Sequence, residues 1–340
     1  MAPCSKASKQ SAGITAARAL AVAAMALAIF LTFSFSRMEL ARAASSRATL
    51  FPQLHAGQKL SYLIQTRSQK NVRTESRVVN PSGPQNSQAD AQWIVNLEIL
   101  NVQPQGARAV IHARSQLQDV NASQTAKTPG NTPSPTEPSP NSSDKFVEFT
   151  ILADGRIDSI KNIDSMFSEQ RDAWQQWLRQ FAIAATFPHD GVKRGQSWKS
   201  TEPEQAPSPI DRLEWQRTST YVRDEPCSPV QITDAGEAQP AASQSDTCAV
   251  VLTQATLKQK SPIKDTTPGD YKLRALRTSG SAAGSNETIS YISLRTGLVT
   301  RVTENAKQSM DVIIAKSDNS NQIRYTITAA SHTELLLLAH

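Results

Sequence analysis

The chain has 340 residues, 39% of them hydrophobic and 6% aromatic, with 36 basic against 30 acidic side chains. That is enough for one large β domain or two average domains, and it leaves room for long polar tails. Residues 1–43 hold five of the basic residues and one acid, so residues 44–340 carry 31 against 29, and the high isoelectric point is no signal for nucleic acid.

The amino terminus reads as a targeting segment. Lys6, Lys9 and Arg18 precede an apolar run from Ala19 to Phe33, and Ala41-Arg42-Ala43 offers a small-x-small cleavage site. A signal peptide over 1–43 is the expectation. The alternative is an inner-membrane anchor over 19–35, short for a span, with membrane contact confined to it and the body still outside the cytoplasm. Residues 44–53 form a tether.

Strand-like alternation then begins. Leu60, Tyr62 and Ile64 alternate, as do Trp93, Val95, Leu97 and Ile99, and again Ala109, Ile111 and Ala113 after a turn at Gln105-Gly106. Period-two alternation marks antiparallel sheet with one buried face. A first meander is expected over 54–117 and 145–160, with a hairpin turn at Asp154-Gly155. Between its parts, 118–144 is rich in Pro, Ser and Thr, has no periodicity, and reads as disordered.

Between Ser159 and Trp198 the period changes. Ile163, Met166, Phe167, Trp174, Trp177, Leu178, Phe181, Ala184 and Ala185 recur at three-and-four spacing. Asp164 or Ser165 can cap a helix there, and Phe187-Pro188 ends it. The spacing predicts a long helix at about 163–186, inside a segment 161–188, covering the apolar face of the sheet. The fold class expected is therefore α+β, a mainly antiparallel curved meander or half-barrel with one covering helix.

A second meander is expected over 189–340. Strand patterns fall at 212–222, 248–257, 271–279, 287–294, 298–304, 308–315, 322–330 and 333–338, with a small-residue break between 279 and 287. Cys227 and Cys248 flank a loop at 228–247. Their spacing fits no metal motif, and in an exported chain they are expected to form a disulfide stabilising by roughly 3 kcal/mol.

Phe187-Pro188, Val192, Gly195 and Trp198, with Tyr62 and Thr296-Gly297, resemble a motif in a group of exported bacterial β-rich proteins, in which an extended segment leads into a G-x-x-W strand. The resemblance spans about 54–330 and implies no activity and no functional residues. The layout is also similar to the periplasmic lipoprotein-carrier fold, an analogy of architecture alone.

Chemistry-bearing motifs are sparse. The sequence has no GxSxG, P-loop, HExxH or CxxC. Ser142–Lys145 and Ser261–Lys264 have serine–lysine spacing but sit in polar, proline-flanked tracts. His189-Asp190 is the one adjacent histidine–acid pair, and a hydrolase built on His189 is an alternative reading. No catalytic residue, metal ligand or cofactor is expected. The aromatic side chains Trp174, Trp177 and Phe181 are the candidate lining for an apolar ligand. The expected function is that of an exported envelope or secreted protein, non-enzymatic, binding an apolar small molecule or an envelope component. A carrier of a lipid-like ligand is the alternative within that class.

Overall fold

A computed structural model describes residues 47–76, 84–105, 108–119, 146–152, 157–163, 187–188, 190–204, 208–233, 238–241, 245–260, 265–318 and 321–339, together with Trp174, Trp177 and Leu178. Of the tract expected as disordered over 118–144, Gln118 and Asp119 end a strand instead, and the rest lies outside the described residues, as do the expected leader, the Asp154-Gly155 turn and both serine–lysine pairs.

The first strands are β1 (Lys59–Ser76), β2 (Gln85–Gln105), β3 (Arg108–Asp119), β4 (Phe146–Ile151) and β5 (Ile157–Lys161). After the crossing come β6 (Ser197–Pro203), β7 (Leu213–Cys227), β8 (Val230–Ile232), β9 (Ala238–Pro240) and β10 (Asp246–Gln259). A short helix α1 (Gly269–Leu273) precedes β11 (Leu276–Ser293), β12 (Val299–Lys316) and β13 (Ile323–Leu337). Eleven strands form one antiparallel sheet in the order β5-β4-β3-β2-β1-β13-β12-β11-β10-β7-β6, and β8-β9 is a separate hairpin. The first and last long strands pair, Tyr62 opposite Leu337 through Ser76 opposite Ile323. What reads as two meanders is thus one sheet, closed at the chain ends and open at β5 and β6.

The α+β expectation is corrected by this architecture. Among the described residues nearly everything is strand, and the longest helix is the five residues of α1. The long covering helix expected at 163–186 is absent among the described residues. Trp174, Trp177 and Leu178 are helical and buried, and Ile163 has 3₁₀ geometry. The error has a physical origin. A three-and-four spacing suggests a layer, yet among the described residues the apolar face is filled mainly by the strands' own side chains and by Leu50, Phe51 and Leu54, with Trp174, Trp177 and Leu178 the contribution of the central segment. A second correction concerns strand length. Residues 276–293, 299–316 and 323–337 are each continuous, where alternation suggests pairs of shorter strands. Ser281, Ala282, Ala283 and Gly284 have weak strand preference, but ladder bonds to β12 hold them extended.

Alternation decides the buried face. Tyr62 and Ile64 of β1, Val95, Leu97 and Ile99 of β2, Ile111 and Ala113 of β3, and Val147, Phe149 and Ile151 of β4 all point one way. Leu335 and Leu337 of β13 and Val302 of β12 join them across the β1–β13 seam. A second cluster gathers Leu50, Phe187, Val192, Trp198, Tyr221, Val251 and Ile292. Three members of the F-P…G-x-x-W pattern therefore meet in space. Phe187 packs edge-on to Trp198 at 5.3 Å, and Val192 bridges to Ala48. A third cluster, around Ile210, Trp215, Leu257 and Val312, lies farther along the same face.

Thr296-Gly297 has a steric explanation. Gly297 turns β11 into β12 at φ 66°, and a Cβ there would lie 2.0 Å from the Phe51 carbonyl oxygen. The N-terminal segment runs hard against this turn, with the Gln53 amide donating to the Thr296 carbonyl at 2.7 Å. Only glycine allows both the positive φ and the close approach.

Candidate functional site

Four features come into question: the aromatic cluster, a buried polar row, the disulfide-closed segment and the grooves on the sheet's other face.

The aromatic cluster is where the sequence places a ligand. Trp174 and Trp177 have 0% exposure. Phe149 meets both edge-on at 5.5 and 5.7 Å, Tyr62 lies 6.4 Å from Trp177, and the two indoles are 6.0 Å apart. These are the spacings of packed aromatic pairs. The Trp174 indole N–H donates to Ser115 Oγ at 3.1 Å, both groups buried. Burial pushes the Tyr62 phenol well above its usual range. The structure therefore brings Trp174 and Trp177 together as core, packed against strand side chains. Phe181 and His189 lie outside the described residues.

A polar row crosses the same face, one step beyond the apolar row. Tyr221, Val251, Ser290, Val302, Leu335, Ile64 and Trp93 stand opposite one another in turn. The next row reads Ser219, Thr253, Thr288, Glu304, Thr333 and Thr66. Ser219, Thr253, Thr288 and Thr333 are buried. Their hydroxyls are served locally, Ser219 with Thr253 at 2.8 Å and Thr288 donating to Asn286 at 2.9 Å. Asn286 in turn donates to Glu304 at 2.9 Å. A buried hydroxyl needs such a partner, so this row reads as structure and marks where the first two clusters end, the third lying beyond it.

Cys227 and Cys248 are joined by a disulfide. The enclosed segment, expected as a plain loop, holds the β8-β9 hairpin. Val230 forms a parallel bridge to Leu338, and the Ala339 amide donates to the Val230 carbonyl at 2.7 Å. The disulfide therefore closes a strap that reaches from the β7/β10 pair to the end of β13. Beside it Tyr221 donates to Asp224, and burial together with that bond raises the Tyr221 phenol.

The opposite face carries two open grooves. One, of about 510 Å³, lies over β1–β4 and is lined by Lys59, Ser61, Asn96, Glu98, Arg114 and Phe146. There Arg114 stacks over Phe146 at 4.4 Å and pairs with Glu148 at 3.0 Å. The other, of about 640 Å³, crosses β1, β13, β12 and β11. Two cross-strand rows line it: Gln69, Ala330, Lys307 and Ser285, then Asn71, Thr328, Ser309 and Ala283. Sequence reasoning passes over all eight positions. Ala283 and Ser285 fall in the expected small-residue break, while Ser309, Thr328 and Ala330 fall in expected strands whose outward side chains carry no mark of a site.

Among the described residues no group of three or more His, Cys, Asp or Glu side chains is placed to hold a metal ion. No helix there is long and apolar enough to cross a membrane.

No known protein family matches the chain, and no curated protein matches it. Among solved structures it is similar to a protein from Bacteroides fragilis inferred to be exported, with a YmcC-like fold. Identity is 9%, coverage 82% of this chain and 97% of that one, and the TM-score 0.23. It is also similar to an inferred lipoprotein from Parabacteroides distasonis, at 8% identity, with 83% and 98% coverage and a TM-score of 0.22. The outer membrane protein OprG from Pseudomonas aeruginosa aligns at 6% identity over 86% of this chain and 99% of its own, with a TM-score of 0.15. TM-scores this low carry no argument about fold or activity.

Proposed function

We propose that this chain is an exported, non-enzymatic protein that binds another component of the cell envelope on the exposed part of its sheet. The observation that carries the binding reading is the length of the strands. Beyond Ile64, no residue of β1 is buried, and the same holds for Gln85–Asp90 of β2 and for β13 ahead of Thr333. A core needs no such extension, and ordering those residues costs about 1 kcal/mol or more each in backbone entropy. A two-faced sheet with open grooves suits recognition of an extended partner better than enclosure of a reacting group.

The Cys227–Cys248 bond supports placement outside the cytoplasm, because such bonds persist in oxidising compartments. Fractionation of cells expressing the full chain tests this. Mass mapping without reductant is expected to find the joined peptides in the fraction outside the cytoplasm. A cytoplasmic protein with both thiols free would overturn the reading.

A further inference from the structure

We infer that the groove across β1, β13, β12 and β11 is a binding site for a linear, hydroxyl-rich chain, an oligosaccharide strand bearing acidic substituents, with Lys307 reading the acid. The inference rests on the proposed binding function and names its ligand chemistry.

The side chains that line the groove carry the argument. Gln69 offers an amide that donates and accepts, Asn71 keeps a second N–H beside the one it donates to Asn86, and Ser285, Ser309 and Thr328 offer hydroxyls that do both. Ala283 and Ala330 are small, and with the serines they leave the trough open. Lys307 is the one charge among the eight, and it makes no ion pair among the described residues. Most flanking charges on this face are paired with one another, but Glu287, diagonal to Lys307 across the β11–β12 ladder, receives only an amide contact from Gln254 at 3.5 Å and makes no ion pair among the described residues. On one side Arg67 pairs with Asp90 at 3.1 Å, and on the other Arg324 grips Asp311 at 2.6 and 2.8 Å. A strip holding a single unpaired cation thus runs between borders that are compensated except at Glu287.

Other ligand classes fit this chemistry poorly. A nucleic acid calls for several cations along its phosphates. A membrane surface calls for a basic cluster or an apolar patch. A protein interface calls for aromatic or aliphatic anchors, and none lines the trough. A peptide added as a strand needs a free sheet edge, whereas the four strands of this groove are each paired on both sides. A polyhydroxylated chain needs what is present: mixed donors and acceptors on a regular spacing. The strands recur about every 4.8 Å, close to the length of one sugar unit in an extended chain. With no ring to stack on, each unit binds weakly and strength comes from repetition.

The experiment uses the purified full chain and two defined probes, a hexamer of β-1,4-linked glucose and a hexamer of galacturonic acid, with titration calorimetry as the readout. The acidic hexamer is expected to bind more tightly than the neutral one. Ser309→Tyr and Ala330→Tyr, both at exposed positions, should fill the trough and abolish binding of both probes. Lys307→Gln should weaken the acidic hexamer about threefold, the scale of an exposed charge contact, and leave the neutral hexamer unchanged. Circular dichroism and an intact Cys227–Cys248 bond establish that each variant is folded. Binding of neither hexamer to the folded wild type overturns the proposal, as does binding that survives both tyrosine variants. Equal response of the two probes to Lys307→Gln removes Lys307 from its role. Failure here leaves the exported placement standing, since that rests on fractionation and the disulfide.

Discussion

The same strands behave differently at their two ends. In β1, Leu60, Tyr62, Leu63 and Ile64 are buried, whereas Arg67 to Ser76 are not. In β13 the order is reversed along the chain, with Ile323 to His332 accessible and Leu335 to Leu337 buried. Both ends carry an unbroken hydrogen-bond ladder between these two strands. Backbone pairing is therefore equally complete in the two regions, and what separates them is side-chain burial. The basal end is held by packing against Trp174 and Trp177. The distal end of β1 is held by its ladder, that of β13 also by Tyr325 against the third cluster, and both leave most side chains open to contact. The row of Ser219, Thr253, Thr288, Glu304, Thr333 and Thr66 is the boundary.

The sharpest way to break this contrast is to empty the basal end. Trp177→Ala should destabilise the protein by about 3–5 kcal/mol, the range for removing a buried aromatic side chain. Ser309→Ala at the distal end should change stability by no more than about 0.5 kcal/mol. Urea midpoints measure both. Equal effects would show that the distal sheet is packed against something at its surface. The Trp177→Ala protein also tests whether an apolar ligand occupies the cluster. A response of wild type to an environment-sensitive apolar dye, lost in the variant, would favour that use, whereas no response would leave Trp177 as core.

How much of the fold is legible in the sequence follows the same division. The basal end announces itself, because Leu60, Tyr62 and Ile64 alternate and Trp93 to Ile99 do likewise. The disulfide partners are legible too, since Cys227 and Cys248 are the two cysteines left once a leader is set aside. The distal end is legible only in part, since 308–315 and 322–330 read as strands and the facing parts of β1 and β2 do not. Arg67–Ser76 and Gln85–Asp90 have no apolar partner face, so no period emerges, and their strand state comes from pairing with residues far away in sequence. Tyr62 meets Leu337 only because the chain ends pair, and no local pattern encodes that. In the central segment, three-and-four spacing does locate Trp174, Trp177 and Leu178 as helical and buried. It misleads at the level of fold class, because such a spacing over two dozen residues need not make a layer. The groove residues escape for a related reason: small polar side chains on a wet face resemble those of a loop.

A disulfide-free variant comes next in size. Replacing both Cys227 and Cys248 with Ser should cost about 3 kcal/mol, as expected for a cross-link with a sequence separation of 21. Because the closed segment bridges to Leu338, loss should be felt at the basal end as well. Limited proteolysis should cut within 228–247 well before the midpoint of global unfolding. If cleavage there tracks global unfolding instead, the strap is held by its contacts with β13 and the disulfide adds little.

The boundary row predicts a smaller effect with a distinctive sign. Ser219→Ala removes one member of a buried hydroxyl pair and strands the other, costing about 1–3 kcal/mol. Changing the partner as well, Ser219→Ala with Thr253→Val, removes the stranded hydroxyl. The double variant should recover part of the loss. A strictly additive loss would mean that the Ser219–Thr253 bond is not what the row depends on, and the boundary would then be set by packing.

The smallest effect belongs to the distal end and depends on pH. Arg324 hydrogen-bonds Asp311 through two nitrogens and, with its charge, holds that carboxyl below its ordinary value of 3.8. A depressed folded-state value means that the unfolded chain takes up a proton first as pH falls. The stabilisation is therefore complete above the unfolded value and is lost as pH drops through the lower folded one. Asp265 behaves the same way, lowered by hydrogen bonds from Thr267 and Lys272. Both pairs are exposed, so salt screens them and their contribution is modest. Asp311→Asn should thus reduce the steepness of acid destabilisation below about pH 4 and leave stability at neutral pH nearly unchanged. The difference should shrink in high salt. A large loss at neutral pH would contradict the view that the distal sheet is held by its ladder, because it would make one surface ion pair a principal support of that end.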